Sequence, residues 1–383
     1  MLDVKRLYEQ HRVRYPPFEA ARWEAEALPI ATRRTLIGEY AEQDEALEVI
    51  KGRSPEFQLG DEQSWLIERS YIFGEERLQH TPSSPHLEDE PYVRLIKRQR
   101  RGWYLIPNPI HNVLRTFING VVVVLLACLF YLFISPVLLL LNLPVYGLET
   151  VRWGLLDYPA LAVFVVPLIF APLVLRVVAN LVELRRQNLF LKRNLQTPVI
   201  EFSKPSVAHE SLEFNVTFPE WDESWNHVDA ILRVGVLPPS REVLLETLDR
   251  DPKRQPPPGL STELPHHWEV GLDDGTAGGE DAPMELKEVK GGLYLRPMRV
   301  MVQNEPQRWE EGKPLVLEPP QPAWPGSVNT DLLRIHWECI LRIDRKKGGA
   351  LLWVQPLKVA HGSGKVALAS LPLHDGRSEL DIS

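Results

Sequence analysis

The segment of residues 361–365, HGSGK, is the part of the sequence closest to a phosphate-binding loop. In such a loop, backbone amides and a lysine hold a phosphate. The motif requires a glycine five positions before its second glycine and a Ser or Thr after the lysine. Counted from Gly364, Val359 stands at the first of these positions, and Val366 follows Lys365. The pattern therefore predicts a turn between strands and no nucleotide site.

Histidines and carboxylates are the next residues that could do chemistry. His266 and His267 adjoin an acidic segment, but no second ligand pair follows at helical spacing and the H-E-x-x-H motif is absent. We expect exposed loop histidines there and no metal site. His336 and Glu338 are two residues apart in a strand-like segment, which places both side chains on one face. Such a pair is either a solvated surface pair or a general acid–base dyad, and we predict the surface pair.

Activated nucleophiles are also missing from the sequence. The G-x-S-x-G motif is absent, and the two cysteines lie in an apolar run (Cys128) and in a strand-like run (Cys339). We interpret both as reduced structural cysteines. The formal net charge of −8 argues against a general nucleic-acid binder. We therefore predict a protein that is not an enzyme, with no catalytic residue, cofactor or metal and no nucleic-acid partner.

Two apolar runs near the middle of the chain predict a transmembrane helical hairpin. No charged residue occurs between residues 116 and 148, a length well above the roughly 20 residues that cross a bilayer core. The second run is shorter and contains Pro159, Pro167 and Pro172, so a re-entrant or interfacial segment is the alternative for it. The predicted hairpin covers residues 116–178, with spans at about residues 118–142 and 158–178.

The distribution of Lys and Arg predicts the orientation of this hairpin, because cytoplasmic loops are enriched in these residues. Arg152 is the single basic residue in the loop between the spans, at residues 142–157. The flanks carry Arg94, Lys97, Arg98, Arg100, Arg101, Arg115, Arg176, Arg185, Arg186, Lys192 and Arg193. We expect a multi-pass protein of a plasma or inner membrane with both termini in the cytoplasm. The basic cluster beside Trp103 and Tyr104 suits an anionic lipid surface; a specific lipid or nucleic-acid site is the alternative.

The N-terminal region, residues 1–110, is predicted to be a mainly α-helical and irregular cytoplasmic arm. Residues 18–28 are rich in helix formers, and residues 32–51 carry apolar side chains among acidic ones. Neither stretch predicts a self-sufficient core. The arm could pack on the C-terminal region, lie on the membrane, or become ordered with a partner.

After the second span, a juxtamembrane helix is predicted over residues 179–196. Residues at alternating spacings of four and three form the pattern of a coiled-coil seam with one polar position. The seam residues are Val177, Leu181, Leu184, Asn188, Leu191 and Leu195. The seam covers under three heptads, which is short for a coiled coil. A homo-oligomer through residues 177–195 and a helix that packs on its own protein both stay open.

Beyond residue 196 the apolar pattern changes to a period of two, which predicts strands. Short strands with Pro-rich connections favour a cytoplasmic antiparallel β-sandwich over residues 197–383. Residues 249–282, rich in Pro, Gly and Asp, predict a mobile insertion. In the clearest strand one face is formed by Ile335, Trp337, Cys339 and Leu341. The predicted strands are residues 211–218, 228–237, 293–303, 332–344 and 350–360.

Two segments of this region resemble a known family. TPVIEFSKPSVAHESLEFNVTF, residues 197–218, is similar to the first strands of arrestin-like β-sandwich domains, and RIHWECILRIDRKKGGALLWVQPLKV, residues 334–359, is similar to their closing hairpin. The resemblance extends to two-span bacterial membrane proteins of unknown function that carry such a domain. It implies a protein-interaction module without catalysis. The insertion at residues 249–282 departs from a compact version, and other immunoglobulin-like sandwiches are the alternative.

These features predict a membrane-anchored, non-enzymatic scaffold or protein-interaction protein that presents a cytoplasmic β-sandwich. Its partners would be the lipid bilayer, a protein partner and, through residues 177–195, a second copy of the chain. The alternative is a subunit of an oligomeric membrane channel or transporter complex. An enzyme with an unrecognised site in the sandwich is a third hypothesis.

Overall fold

The computed structural model describes residues 4–17, 20–79, 84–87, 100–106, 110–147, 149–237, 239, 241–251, 291–295 and 297–374. The chain divides into two compact units. One unit, which we call the sheet unit, combines Met1–Pro107 with Asn194–Ser383. The other, the hairpin unit, is Asn108–Arg193.

The N-terminal part of the sheet unit consists mainly of strands. Its elements are β1 (Lys5–Arg14), two short 3-10 helices (Ala20–Arg22 and Ala25–Ala27), β2 (Ala31–Tyr40), α1 (Gln43–Lys51), β3 (Phe57–Gly60), β4 (Leu66–Phe73), β5 (Glu76–Leu78) and β6 (Gly102–Leu105). The prediction of a mainly α-helical arm over residues 1–110 is therefore wrong. Only the second half of the helix predicted at residues 32–51 is a helix, α1, because the first half pairs with β1 as an antiparallel strand. Tertiary pairing here overrides local helix propensity.

The hairpin unit contains two long apolar helices, α2 (Ile110–Leu140) and α3 (Ala160–Lys192). Between them lies a small antiparallel hairpin of β7 (Thr150–Trp153) and β8 (Leu156–Pro159). The stretches long and apolar enough to cross a membrane are Thr116–Leu140 and Val163–Lys192. Large apolar side chains on both helices are exposed, as Phe133 at 80% and Leu140 at 82% illustrate. A helix in the core of a soluble protein would bury such side chains, so the pair fits the predicted two-helix hairpin.

The C-terminal part of the sheet unit is also rich in strands, as the apolar alternation predicts. Its elements are β9 (Val199–Phe202), β10 (Leu212–Thr217), β11 (Trp225–Leu237), α4 (Arg241–Thr247), β12 (Gly291–Tyr294), β13 (Met301–Gln303), β14 (Gln307–Arg308), β15 (Leu315–Leu317), β16 (Val328–Asn329), β17 (Arg334–Arg345), β18 (Leu351–Leu357) and β19 (Val366–Leu368). Most pairings are antiparallel. The insertion predicted at residues 249–282 lies, beyond residue 251, outside the described residues.

Strands from both ends of the chain share sheets. The eight-stranded sheet has the order β12-β6-β18-β17-β11-β13, with β14 on β11 and β16 on β17. The six-stranded sheet has the order β19-β3-β4-β1-β2, with β5 on β4, and a three-stranded sheet has the order β15-β10-β9. N-terminal β6 thus pairs with C-terminal β18, and C-terminal β19 pairs with N-terminal β3. The region before the hairpin completes the sheets of the region after it.

The long central strand β17 is buried on both faces over most of its length. Ile335, Trp337, Cys339 and Leu341 are buried, which confirms the predicted inward face. The opposite face carries Glu338, which is also fully buried. The prediction of a solvated surface pair for His336 and Glu338 is therefore wrong.

Candidate functional site

The chain segments that lead into and out of the helical hairpin contact each other beside the eight-stranded sheet. Strand β6 ends at Leu105, five residues before α2 begins at Ile110. The chain leaves α3 at Lys192 and has reached Gln196 four residues later. The Trp103 indole Nε1 donates a hydrogen bond of 3.1 Å to the Gln196 carbonyl oxygen. The segments that enter and leave the hairpin are therefore hydrogen-bonded to each other within the sheet unit.

A cluster of aromatic rings surrounds the Trp103 side chain. The Trp103 ring lies 5.3 Å from that of Trp353, on the neighbouring strand β18, and 5.8 Å from that of Trp225, at the start of β11. Ring pairs at these distances and tilts contribute about 0.5–1.5 kcal/mol beyond the burial of their area. The three indoles hold β6 in place against two strands from the C-terminal half of the chain.

The aromatic cluster continues outward from Trp225. Phe218 lies 5.5 Å from Trp225 and 5.1 Å from Trp309, and the Trp221 ring is stacked 5.5 Å from that of Trp309. Trp309 Nε1 donates to the Val216 carbonyl oxygen at 3.2 Å. Trp221 is exposed, so the cluster reaches from the sheet core to the surface of the molecule.

A buried ion cluster joins Arg100, which directly precedes β6, to Arg233 on β11 and Glu338 on β17. Arg100, Arg233 and Glu338 are 1%, 1% and 0% exposed. The Arg100 guanidinium donates from Nε and Nη2 to the two carboxylate oxygens of Glu338, at 2.8 and 2.9 Å. Arg233 Nη1 lies 3.5 Å from Glu338 Oε1, and Arg233 also donates to Gln303 Oε1 at 2.9 Å. Since a buried charge is tolerated only with a partner, this two-pronged contact fixes Arg100 on the central strand β17.

The electrostatics of the ion cluster argue for a structural role of Glu338. Burial alone would raise the pKa of this carboxyl, but the positive charge and hydrogen bonds of Arg100, with a hydrogen bond from His336, hold its pKa well below the usual range. His336 Nε2 lies 3.2 Å from Glu338 Oε2. A carboxylate with so low a pKa, whose two oxygens already accept hydrogen bonds from Arg100, is a poor general base near neutral pH. The catalytic dyad considered for His336 and Glu338 therefore finds no support in this geometry.

The neighbouring thiol is likewise unsuited to chemistry. Cys339 is free and fully buried. Burial, with a smaller contribution from the charge of Glu338, raises the pKa of the Cys339 thiol to about 12. Reactive cysteines need a lowered pKa and access to solvent. Cys128 is also free and lies in α2. That both cysteines are reduced and structural stays a prediction.

A second ion cluster lies on the six-stranded sheet and joins both ends of the chain. The buried carboxylate of Glu68 accepts from Arg12 Nη1 at 3.1 Å and from Arg77. Arg77 Nη2 also lies 3.3 Å from buried Glu56, whose other oxygen is 3.7 Å from Lys365 Nζ. The lysine of the HGSGK segment thus pairs with a carboxylate of the N-terminal region.

The rest of the HGSGK segment is a turn before β19, as predicted. His361 is buried, and its Nδ1 accepts a hydrogen bond of 3.0 Å from the Gly326 amide. Gly364 has a φ of +103°, in the region that favours glycine. Among the described residues no three His, Cys, Asp or Glu side chains group as a metal site. His266 and His267 lie outside the described residues.

The sequence-based reasoning missed the roles of Arg100 and Glu338. Arg100 belongs to a basic run that we interpreted as a lipid-facing cluster. The available signal was Glu338 itself, a single carboxylate between Trp337 and the run Cys339, Ile340 and Leu341. An acidic residue inside so apolar a strand requires a buried basic partner, but the sequence does not say which one.

Comparisons with protein-family models, with curated proteins and with solved structures find no match for this chain. The resemblance to arrestin-like β-sandwich domains and to the two-span membrane proteins that carry them stays a prediction.

Proposed function

We propose that this protein is a membrane-anchored scaffold without catalytic activity, in which α2 and α3 cross a bilayer and the sheet unit binds a protein partner at the membrane surface. The observation that carries the proposal is the construction of the sheet end at β6. The segments before and after the hairpin are hydrogen-bonded through Trp103 and Gln196, and β6 is a pairing strand of the large sheet. Such an attachment would couple the anchor directly to the fold of the sheet unit.

The buried charges support a scaffold over an enzyme. Glu338 and Glu68 are both engaged by arginines, and Cys339 is a buried, high-pKa thiol. Active sites present titratable groups in a cleft open to substrate, whereas these groups lie inside the sheet unit. The pairs Arg100–Glu338 and Lys365–Glu56 join the two halves of the chain, and Glu68 pairs with Arg12 within the N-terminal half.

The proposed orientation places both termini and the sheet unit in the cytoplasm. It rests on the eleven Lys and Arg residues that flank the spans, against Arg152 in the loop between them. Residues 150–159 of this connection form the β7–β8 hairpin, which is compact and suited to a short external loop.

Reporter fusions and membrane extraction test this proposal. An alkaline wash of isolated membranes should leave the protein in the membrane pellet, because two spans hold it there. A reporter active only in the cytoplasm should be active when fused after Ser383 and inactive when inserted after Gly147. Release by alkaline wash would refute the membrane anchor. An external signal from the Ser383 fusion would refute the orientation alone.

The second candidate, a subunit of an oligomeric channel or transporter, is favoured by one feature of α3. Glu183 is buried, at 6% exposure, within the apolar stretch Val163–Lys192, and its Oε1 accepts from Arg186 Nη1 at 3.0 Å. At the cytoplasmic end of the span, such a residue would stand at the mouth of an ion or proton path. A closed ring of several copies in detergent would favour this candidate, and a monomer or dimer would favour the scaffold.

A further inference from the structure

We propose that the membrane-distal turns of α3 bind the same helix of a second copy of this chain, as a parallel two-stranded coiled coil. This inference rests on the proposed membrane anchor. Its surface is the seam residues that α3 presents beyond the bilayer: Leu181, Leu184, Asn188 and Leu191. The leucines of this surface are all exposed.

The length of α3 leaves this surface uncovered by lipid. A helix of 33 residues is about 50 Å long at 1.5 Å per residue. The hydrocarbon core is only about 30 Å thick, which about 20 residues cross. With the span starting near Ala160, the last dozen residues extend into the polar region. Arg185, Arg186 and Lys192 agree with that placement, because charge is costly in the core.

A narrow stripe of the same helix segment, away from the seam, is already buried. Ala179 and Glu183 are buried, and the Arg186 side chain is only 11% exposed. At 100° per residue Ala179 and Arg186 lie roughly 150–170° around the helix from the centre of the seam, and Glu183 lies about 110° from it. Within the described residues of the hairpin unit, α3 therefore buries one stripe and leaves the leucine face open, although exposed leucines in a polar environment are unfavourable.

The spacing of the residues on the open face suits a facing helix of the same kind. A shallow hollow of about 280 Å³ on α3 is lined by Leu181, Leu184, Arg185, Asn188, Leu189 and Lys192. The first four stand at positions i, i+3, i+4 and i+7. Four residues at that spacing form the hole that receives one side chain from a facing helix in knobs-into-holes packing. In a symmetric dimer the knob entering this hole is Leu184 of the second copy.

The membrane and the charges select a parallel partner helix. Two copies of one chain insert with the same topology, so their α3 helices run in the same direction. With Leu181 and Asn188 at a positions and Leu184 at d, Gln187 faces Lys192 of the other copy across the seam. The Gln187 amide can accept a hydrogen bond from the Lys192 ammonium, and no two like charges face each other at this position. The two Asn188 side chains meet, and a polar pair at an a position favours one register and two strands.

Cysteine cross-linking in native membranes tests the dimer. In a Cys128→Ala background, Leu184→Cys should give a disulfide-linked dimer upon mild oxidation, because d positions face each other. Val182→Cys is the matched control, since Val182 has the same 52% exposure as Leu184 but lies about 160° around the helix. It should remain monomeric.

The possible outcomes separate this inference from the membrane proposal. Absence of the dimer band for Leu184→Cys, or equal dimer for Val182→Cys, overturns the coiled coil if the protein stays in the alkaline-washed membranes. Loss from those membranes overturns the membrane anchor instead. As a second readout, Leu184→Asp should convert the detergent-solubilised particle from dimer to monomer, since an unpaired charge would enter the seam. An unchanged dimer would also overturn the inference.

Discussion

At the scale of single residues, Glu338 connects three segments of the sheet unit that are distant in sequence. It stands at the centre of β17, accepts two hydrogen bonds from Arg100, and lies 3.5 Å from Arg233 on β11. Arg100 precedes β6, the strand that leads into the hairpin. One carboxylate therefore links the segment before α2 to two core strands from the other end of the chain.

The ion cluster predicts a large effect of removing its negative charge. Glu338→Gln should lower the free energy of unfolding by about 3–5 kcal/mol, because Arg100 and Arg233 would remain buried without the compensating carboxylate. Denaturant unfolding followed by tryptophan fluorescence measures this loss. Glu310→Gln is the control, since Glu310 is an exposed glutamate paired with Lys313. It should leave the midpoint nearly unchanged; equal effects of the two substitutions would contradict the role of the buried cluster.

The wild-type protein and the Glu338→Gln variant should also differ in how their stability depends on pH. The folded-state pKa of Glu338 is held below that of the unfolded chain, for which about 4.3 is usual. A depressed pKa contributes stability that is present above the unfolded value and is lost as the pH falls toward the folded value. The stability difference between wild type and Glu338→Gln should thus be constant near neutrality and shrink below about pH 4. A difference that grew upon acidification would contradict this assignment.

At the scale of secondary-structure elements, the sequence was informative wherever the signal was local. The apolar length of α2 and α3 and the alternation in β17 each lie within one stretch of chain, and both were predicted. Strand β1 was not, because its sequence KRLYEQHRVR has little apolar alternation. Its charged residues are neutralised by distant partners: Glu9 lies 3.1 Å from Arg69 and Arg12 lies 3.1 Å from Glu68, both on β4. A period-two pattern cannot reveal a strand whose burial depends on such pairs.

The confirmed inward face of β17 leads to a prediction for Trp337. Its side chain is buried, and its Nε1 donates to the Pro325 carbonyl oxygen at 3.0 Å. Trp337→Ala should cost about 3–5 kcal/mol of unfolding free energy, since it leaves a large cavity in the core. Trp23→Ala is a matched control, because Trp23 is exposed. Differential scanning calorimetry should show a clearly lower Tm for the first variant only; similar Tm values would show that the strand face is misassigned.

At the scale of the whole molecule, the division of the chain was the least predictable feature. The spans separate residues 1–107 from residues 194–383 in sequence, so we predicted an arm and a sandwich. In the structure these two segments form one unit, through β6 beside β18 and β19 beside β3. Pairings between residues more than 200 positions apart leave no periodic trace in a single sequence. The hairpin therefore behaves as an insertion into a continuous sheet unit.

This organisation predicts that the sheet unit folds without the hairpin but not without its N-terminal strands. Replacing residues 108–193 by a linker of about eight Gly and Ser residues should give a soluble, cooperatively unfolding protein. The linker suffices because Trp103 Nε1 and the Gln196 carbonyl oxygen are only 3.1 Å apart. The entropic cost of closing so short a loop is small. Deleting residues 1–196 should instead give an aggregating or molten protein, since the loss of β6 and β3 exposes the edges of β18 and β19. Size-exclusion chromatography and amide hydrogen exchange of the two variants decide the matter. A well-protected monomer from the truncated variant, or aggregation of the linked one, would contradict the view of one sheet unit interrupted by the helical hairpin.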